Sequence, residues 1–177
     1  MEKYVNMADI ISAQELGEAE TVALIELLFF AYRDFVSDPD AILSELGFGR
    51  AHHRVMHFVG RDPGMTVQQL LDILRITKQS LGRVLKELID KGYVIQKEGE
   101  NDRRQRLMSL TEKGEALRQR LVAPQMTRIR RAVGQGGEAA HLYRKVLFHM
   151  VSPENRDSVR DWIDRASLIG GADESRE

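Results

Sequence analysis

The chain has no cysteine among its 177 residues. That excludes a disulfide framework, a thiol redox switch and any mechanism built on a cysteine nucleophile. Long apolar runs are missing too. The longest, Val22 to Tyr32, is interrupted by Glu26 and is too short to cross a bilayer. Met1 to Asp9 lacks the charge, apolar run and cleavage site of a signal peptide. A cytoplasmic protein without membrane association is expected. No glycine-rich phosphate loop and no serine motif resembling a nucleophile elbow occurs. Scattered Asp, Ser and His carry no weight in a chain this long, so neither an enzyme nor a bound cofactor is expected. Internal repeats and low-complexity tracts are also absent.

What the chain does have is a segregated charge. The formal net charge of −1 conceals −8 over residues 1–49, +9 over residues 50–131 and −2 over residues 132–177. An apolar content of 42% suits one domain, or one domain with helical extensions. Positive charge gathered in the middle of a near-neutral protein is what local attraction to phosphates requires. The competing explanation is that these cations pair with the acidic N-terminal region.

The basic region also carries the clearest local pattern. Thr66 followed by Gln69 predicts a capping box. Val67, Leu70, Leu71 and Leu74 then follow helical spacing. A short turn through Arg75 and Ile76 leads to Thr77, a second capping residue. The next helix places Leu81, Val84, Leu85 and Leu88 on one stripe. Its other face carries Gln79, Gly82, Arg83 and Lys86, with Thr77, Lys78 and Ser80 at the N-terminus. Gln and Arg can pair with base edges, while Lys, Ser and Thr suit phosphates. A solvated polar face is the competing reading of that helix alone.

Lys91-Gly92 predicts the helix end. Tyr93 to Glu98 reads as a strand, Gly99-Glu100-Asn101-Asp102 as a turn, and Arg106 to Leu110 as the returning strand. Leu107, Met108 and Leu110 on that strand can reach the core, and Thr111 caps another helix. Arg103, Arg104 and Arg106 lie at the tip and on the return, where an arginine can enter a narrow minor groove. The order helix, turn, helix, hairpin predicts a winged helix-turn-helix, and hence a mainly α fold with a small β-wing.

These residues resemble the MarR family of bacterial transcription regulators. The resemblance rests on Asp102-Arg103-Arg104, then Leu107 through Leu110-Thr111 and Gly114, and it covers roughly residues 12 to 151. Leu28 through Arg33, Gly49 through Arg54 and Thr77 through Leu81 look like one subgroup of that family. The resemblance implies that Asp102 braces the wing and Arg104 occupies the minor groove. It also implies a homodimer formed by interlocking first and last helices, and often a small anionic aromatic effector. Gly82 departs from a good helix former and costs about 1 kcal/mol relative to Ala; close approach to DNA is one use for it.

Around the reader, Ser12 and Glu15 predict a capping box opening a helix to about Val36, ended by Asp38-Pro39. A short helix over Asp40 to Leu46 and another over Arg50 to Val59 follow, then an Asp62-Pro63-Gly64 turn. The helix from Thr111 is expected to continue towards Val133, bent at Pro124. Glu138 to Val151 reads as helical, and Ser152 to Leu168 as an amphipathic helix covering the dimer or capping the subunit. Gly170 to Glu177 is expected to be a disordered tail. The resulting division is 1–48 for N-terminal dimerisation, 49–114 for the DNA-binding reader and 115–177 for C-terminal dimerisation.

His53 and His57 stand at i, i+4 beside His52, yet no third ligand has the usual spacing, so no metal site is expected. Tyr32, Arg33, His53 and His57 are instead the candidates for lining an effector pocket. For DNA, Gln79 and Arg83 are the candidates for base contacts. Thr66, Gln68, Gln69, Thr77, Lys78, Ser80, Lys86, Arg103 and Arg106 are the candidates for the backbone, with Arg104 in the minor groove. The expectation is a homodimer binding a pseudo-palindromic operator in double-stranded DNA. The alternative is a winged-helix module that docks a protein partner, which acidic residues in place of the wing arginines would have favoured.

Overall fold

A computed structural model describes residues 16–99, 105–137 and 140–170. The expected capping box at Ser12 and Glu15, the wing tip at Asp102, Arg103 and Arg104, and the tail from residue 171 onward lie outside the described residues. Among the described residues, seven α-helices and three short strands follow one another: α1 (Glu18–Glu45), α2 (Arg50–Arg61), β1 (Met65–Thr66), α3 (Val67–Leu74), α4 (Lys78–Asp90), β2 (Val94–Glu98), β3 (Arg106–Leu110), α5 (Glu112–Gln135), α6 (Ala140–Met150) and α7 (Arg156–Gly170), the last preceded by a 3₁₀ turn at Pro153–Asn155.

The first helix corrects an expectation. It does not stop at Asp38-Pro39 but runs unbroken to Glu45, so no separate helix covers Asp40 to Leu46. Pro39 lacks the N–H that would serve the Phe35 carbonyl. That carbonyl accepts instead from Gln125 Nε2 of α5 at 3.4 Å, and Pro39 itself is buried. Burial of Val36 and Leu43 on either side of Pro39 outweighs the lost intrahelical bond. α5 likewise passes through Pro124 without interruption.

The sheet has the order β1-β3-β2, all antiparallel. Val94 faces Leu110 and Glu98 faces Arg106, so β2 and β3 form the expected hairpin. β1 was not expected. It is only two residues long, and pairing Met65 with Met108 ties the start of α3 to the hairpin.

The apolar stripes close over one core. Val55, Met56 and Val59 from α2, Leu70 from α3, Leu81 and Leu88 from α4, and Met108 from β3 are buried there. Leu43 of α1 and Leu117 and Leu121 of α5 enter the same cluster, so the reader draws on both flanks. On β3 only Met108 is fully covered, while Leu107 and Leu110 are half-buried. Within the expected helix over residues 152–168, one contact with the chain's own body is made by an aromatic side chain. Trp162 of α7 meets Phe58 of α2 edge-on at 5.3 Å between ring centroids, joining the rim of the core.

The other helix surfaces are bare. Leu24, Leu27, Phe29 and Phe30 of α1 are each more than half exposed, as are Val146 and Met150 of α6. So many exposed large apolar side chains on two helices are unusual on a monomer.

Candidate nucleic-acid interface

Three threonines set the reader's geometry. At α3, Thr66 Oγ1 accepts from Gln69 N at 3.2 Å, while Gln69 Oε1 accepts from Thr66 N at 2.7 Å. This reciprocal box satisfies two donors that a helix start leaves over. At α4, Thr77 Oγ1 accepts from Ser80 N at 3.1 Å and donates to Ser80 Oγ at 2.9 Å. At α5, Thr111 Oγ1 accepts from Gly114 N at 3.0 Å. Each cap contributes about 1 kcal/mol and fixes where a helix begins. Gln68 donates to Asp72 at 2.8 Å, one turn along the outer side of α3.

Between α3 and α4 the chain turns through Arg75, whose φ of +50° puts it in the left-handed region. For a residue with a Cβ this costs about 1–2 kcal/mol. Arg75 Nη2 donates to Asn155 Oδ1 at 2.5 Å, so the turn is held by the segment that leads into α7.

The outward face of α4 differs from these locked groups. Lys78, Gln79, Ser80, Gly82, Arg83 and Lys86 are all exposed, opposite the buried stripe of Leu81, Val84, Leu85 and Leu88. Among the described residues, nothing hydrogen-bonds or ion-pairs with the side chains of Lys78, Gln79 or Arg83. Lys86 is less available. Its Nζ donates to Asp90 at 2.5 Å, and this bond holds the ammonium pKa above the usual lysine value. The pair is fully exposed, so an approaching phosphate can compete for it.

At the hairpin, Arg106 Nη1 donates across the ladder to Glu98 Oε1 at 2.8 Å. Both side chains are about half exposed, at 49% and 59%, so the pair is weak in water. It aims the root of the wing while leaving the guanidinium reachable.

Two supports behind the reader have little trace in the sequence. His52 Nδ1 accepts from Gly49 N at 3.1 Å at the start of α2. The proton must therefore sit on Nε2, which donates to Glu87 of α4 at 3.0 Å. The ring is buried and stacked on Phe48 at 4.5 Å. This imidazole braces the reading helix against α2. At the far end of α4, Lys91 Nζ donates to Leu46 O at 2.9 Å and lies over the Phe48 ring at 4.4 Å. Lys113 Nζ donates to Lys91 O at 2.8 Å, placing a cation at the negative end of α4. The nearest signal for His52 is a glycine three residues before it at a helix start. Nothing local announces Glu87 or Asn155 as its partner or Arg75's.

Of the four effector candidates, Tyr32 lines a groove, Arg33 faces its own neighbour, and His53 and His57 are adjacent on α2. An apolar groove of about 710 Å³ lies between α1, α5 and α6, lined by Leu28, Phe35, Ile129, Tyr143 and Leu147 with Tyr32. Arg33, His53 and His57 are not on its walls. Arg33 turns to its neighbour Asp34 at 2.8 Å. His53 and His57 stand edge-on, 6.5 Å apart, on α2. Burial lowers both imidazole pKa values, and that of His57 falls to about 4, with His53, Arg118 and Arg61 adding repulsion. Among the described residues, no three His, Asp or Glu side chains are grouped to hold a metal ion.

A helix-turn-helix with unspent Lys, Gln and Arg donors on its second helix, followed by a basic hairpin and flanked by apolar helices, defines a winged-helix protein of the nucleic-acid-binding type. Comparison with known proteins agrees. The MarR family profile matches residues 46–105. The HTH-type transcriptional regulator PetP of Rhodobacter capsulatus is 48% identical over 133 residues, which span 75% of this chain and 80% of that protein. The chain belongs to the MarR family of transcription regulators. Its fold is similar to that of Streptococcus pneumoniae FabT in complex with DNA, with a TM-score of 0.64 and 21% identity over 73% of this chain and 94% of FabT. It is also similar to a SlyA-like regulator from Listeria monocytogenes, with a TM-score of 0.60 and 21% identity over 84% of this chain and 93% of that one.

Proposed function

We propose that this transcription regulator binds a pseudo-palindromic DNA site as a homodimer, with α4 in the major groove and the β2–β3 wing beside it. The observation that carries the reading is the outward face of α4. Its Lys78, Gln79 and Arg83 are spent on nothing within the described chain, while Thr66, Gln69, Thr77 and Arg75 are committed to holding the helices in place. Gln79 and Arg83 are the base-reading pair. Lys78, Ser80 and Lys86, with Gln68 at α3, meet the phosphates. Arg103 and Arg106 extend that contact along the wing, with Arg104 in the minor groove and Asp102 bracing it.

Dimerisation follows from the bare apolar surfaces of α1 and α6, which flank residues 49–114 on either side. Residues 1–48 and 115–177 supply that interface. A single reader makes few base contacts, and a twofold pair doubles them at half-sites about one helical turn apart. Among the described residues no helix is long and apolar enough to cross a membrane, and we place the dimer in the cytoplasm with its DNA. Effector control belongs to the α1–α5–α6 groove rather than to the histidines. Its apolar walls, with Arg128 and Arg131 among the lining residues, suit a small aromatic anion.

The test is site selection from random duplexes with purified protein, followed by affinity measurements as salt is raised. The expected outcome is two inverted half-sites and a log-log salt slope of about −0.9 per phosphate contact. A featureless selected pool, or binding indifferent to salt, refutes the reading. Sedimentation equilibrium checks the dimer separately.

A further inference from the structure

Gly82 sits inside the reading helix, where glycine disfavours the helical state relative to alanine. Several other glycines among the described residues have reasons internal to the fold. Gly47, Gly64, Gly92 and Gly137 adopt positive φ. At Gly60 an added Cβ would come within 2.4 Å of Arg118 Cδ, and at Gly114 within 2.0 Å of the Tyr93 carbonyl oxygen. Gly134 has free space around it but lies in the last turn of α5, where glycine is well tolerated. Gly82 has neither excuse. Its φ is not in the left-handed region, the residue is exposed, and a Cβ built on it meets nothing within 4 Å.

The folded chain therefore does not ask for glycine at this position, and helix formation is weakened by it. What the position does have is company. It lies three residues after Gln79 and one before Arg83, on the face whose donors are unspent. In the middle of that face the backbone is laid bare between long side chains. Such a surface can approach an outside partner more closely than any other stretch of α4.

We infer that Gly82 is a specificity-determining position: the missing side chain lets α4 seat at a depth where Gln79 and Arg83 reach base edges. A Cβ would hold the helix off the groove floor by the width of a methyl group, and paired hydrogen bonds to bases tolerate little stretching. The inference rests on α4 being the DNA-reading helix and names the residue that sets its depth.

The experiment compares the wild-type chain with Gly82→Ala and Gly82→Ser. Each is melted, and each is titrated against the operator selected by the wild type. The expected result is a change in opposite directions. Gly82→Ala melts several degrees higher than the wild type yet binds the operator at least fivefold more weakly, and Gly82→Ser binds more weakly still. Affinity of Gly82→Ala within fivefold of wild type overturns the inference. So does a lower melting temperature, because the free space around residue 82 would then be wrong. If the wild type itself selects no sequence, the DNA reading fails, and that result is visible before either variant is made.

Discussion

Replacing Gly114 by alanine is the sharpest test of how the wing is joined to the body. The added Cβ would lie 2.0 Å from the Tyr93 carbonyl oxygen and 3.3 Å from Leu110 Cβ. An ordinary carbon–oxygen contact needs about 3.3 Å, so one side must retreat by more than about 1 Å. The obstacle is backbone rather than a side-chain tip that can swing away. Tyr93 O also accepts from Thr111 N at 3.1 Å, so its retreat stretches the bond that anchors the wing's base to α5. Overpacking of this kind costs about 1–3 kcal/mol and a weakened backbone hydrogen bond about 1 kcal/mol, against a helix-propensity gain near 1 kcal/mol. The net loss is about 2 kcal/mol. Equilibrium urea unfolding at fixed protein concentration, with a slope of about 2 kcal/mol per molar, should show the midpoint fall by about 1 M. A shift below roughly 0.3 M on the same slope refutes the steric argument.

Three further outcomes follow from the same geometry. Thr77→Ala removes the cap on α4 and should cost about 1 kcal/mol in urea unfolding while weakening DNA binding, because the frayed turn carries Lys78 and Gln79; an unchanged midpoint contradicts the cap. His57 stays neutral in the folded chain down to about pH 4, whereas the unfolded chain protonates it below its usual value near 6.5. Its contribution to stability is complete above pH 6.5 and drains away as the pH falls to 4, a loss of up to about 3 kcal/mol. His57→Gln should flatten acid unfolding over that window, and an unaltered acid midpoint rules this out. Trp162 is the chain's single tryptophan, so its emission reports its seat on Phe58. Phe58→Ala should move that emission to longer wavelength in the folded protein, and no movement means that α7 does not lie there.

Much of the reader is legible from local chemistry. Thr66, Thr77 and Thr111 announce helix starts because a hydroxyl three residues before a free N–H acts within one turn. Gly92 announces a helix end for an equally local reason, its positive φ. Periodicity likewise separates the buried Leu81, Val84, Leu85 and Leu88 from the outward Gln79 and Arg83, since a helix repeats on the scale of its own residues. What escapes is whatever depends on a distant partner. Proline's rule predicts a stop at Asp38-Pro39 and cannot foresee that Gln125, far along the chain, satisfies the orphaned carbonyl. A two-residue strand at Met65–Thr66 has no propensity signal of its own and exists because β3 offers it an edge. The hold of Asn155 on Arg75 and of Glu87 on His52 is invisible for the same reason.

The proline in α1 has one consequence for motion. Because the Phe35 oxygen finds its donor on α5 rather than in its own helix, the Gln125 amide joins the Arg128–Asp38 ion pair in indexing two long rods to each other. Sliding or rolling one along the other must first give up that bond and strand a carbonyl with no substitute inside α1. The pair therefore behaves as a detent. Small displacements are resisted and larger ones proceed once it is released. Exchange of Pro39 for an ordinary residue would make Gln125 redundant, so the two positions are expected to change together.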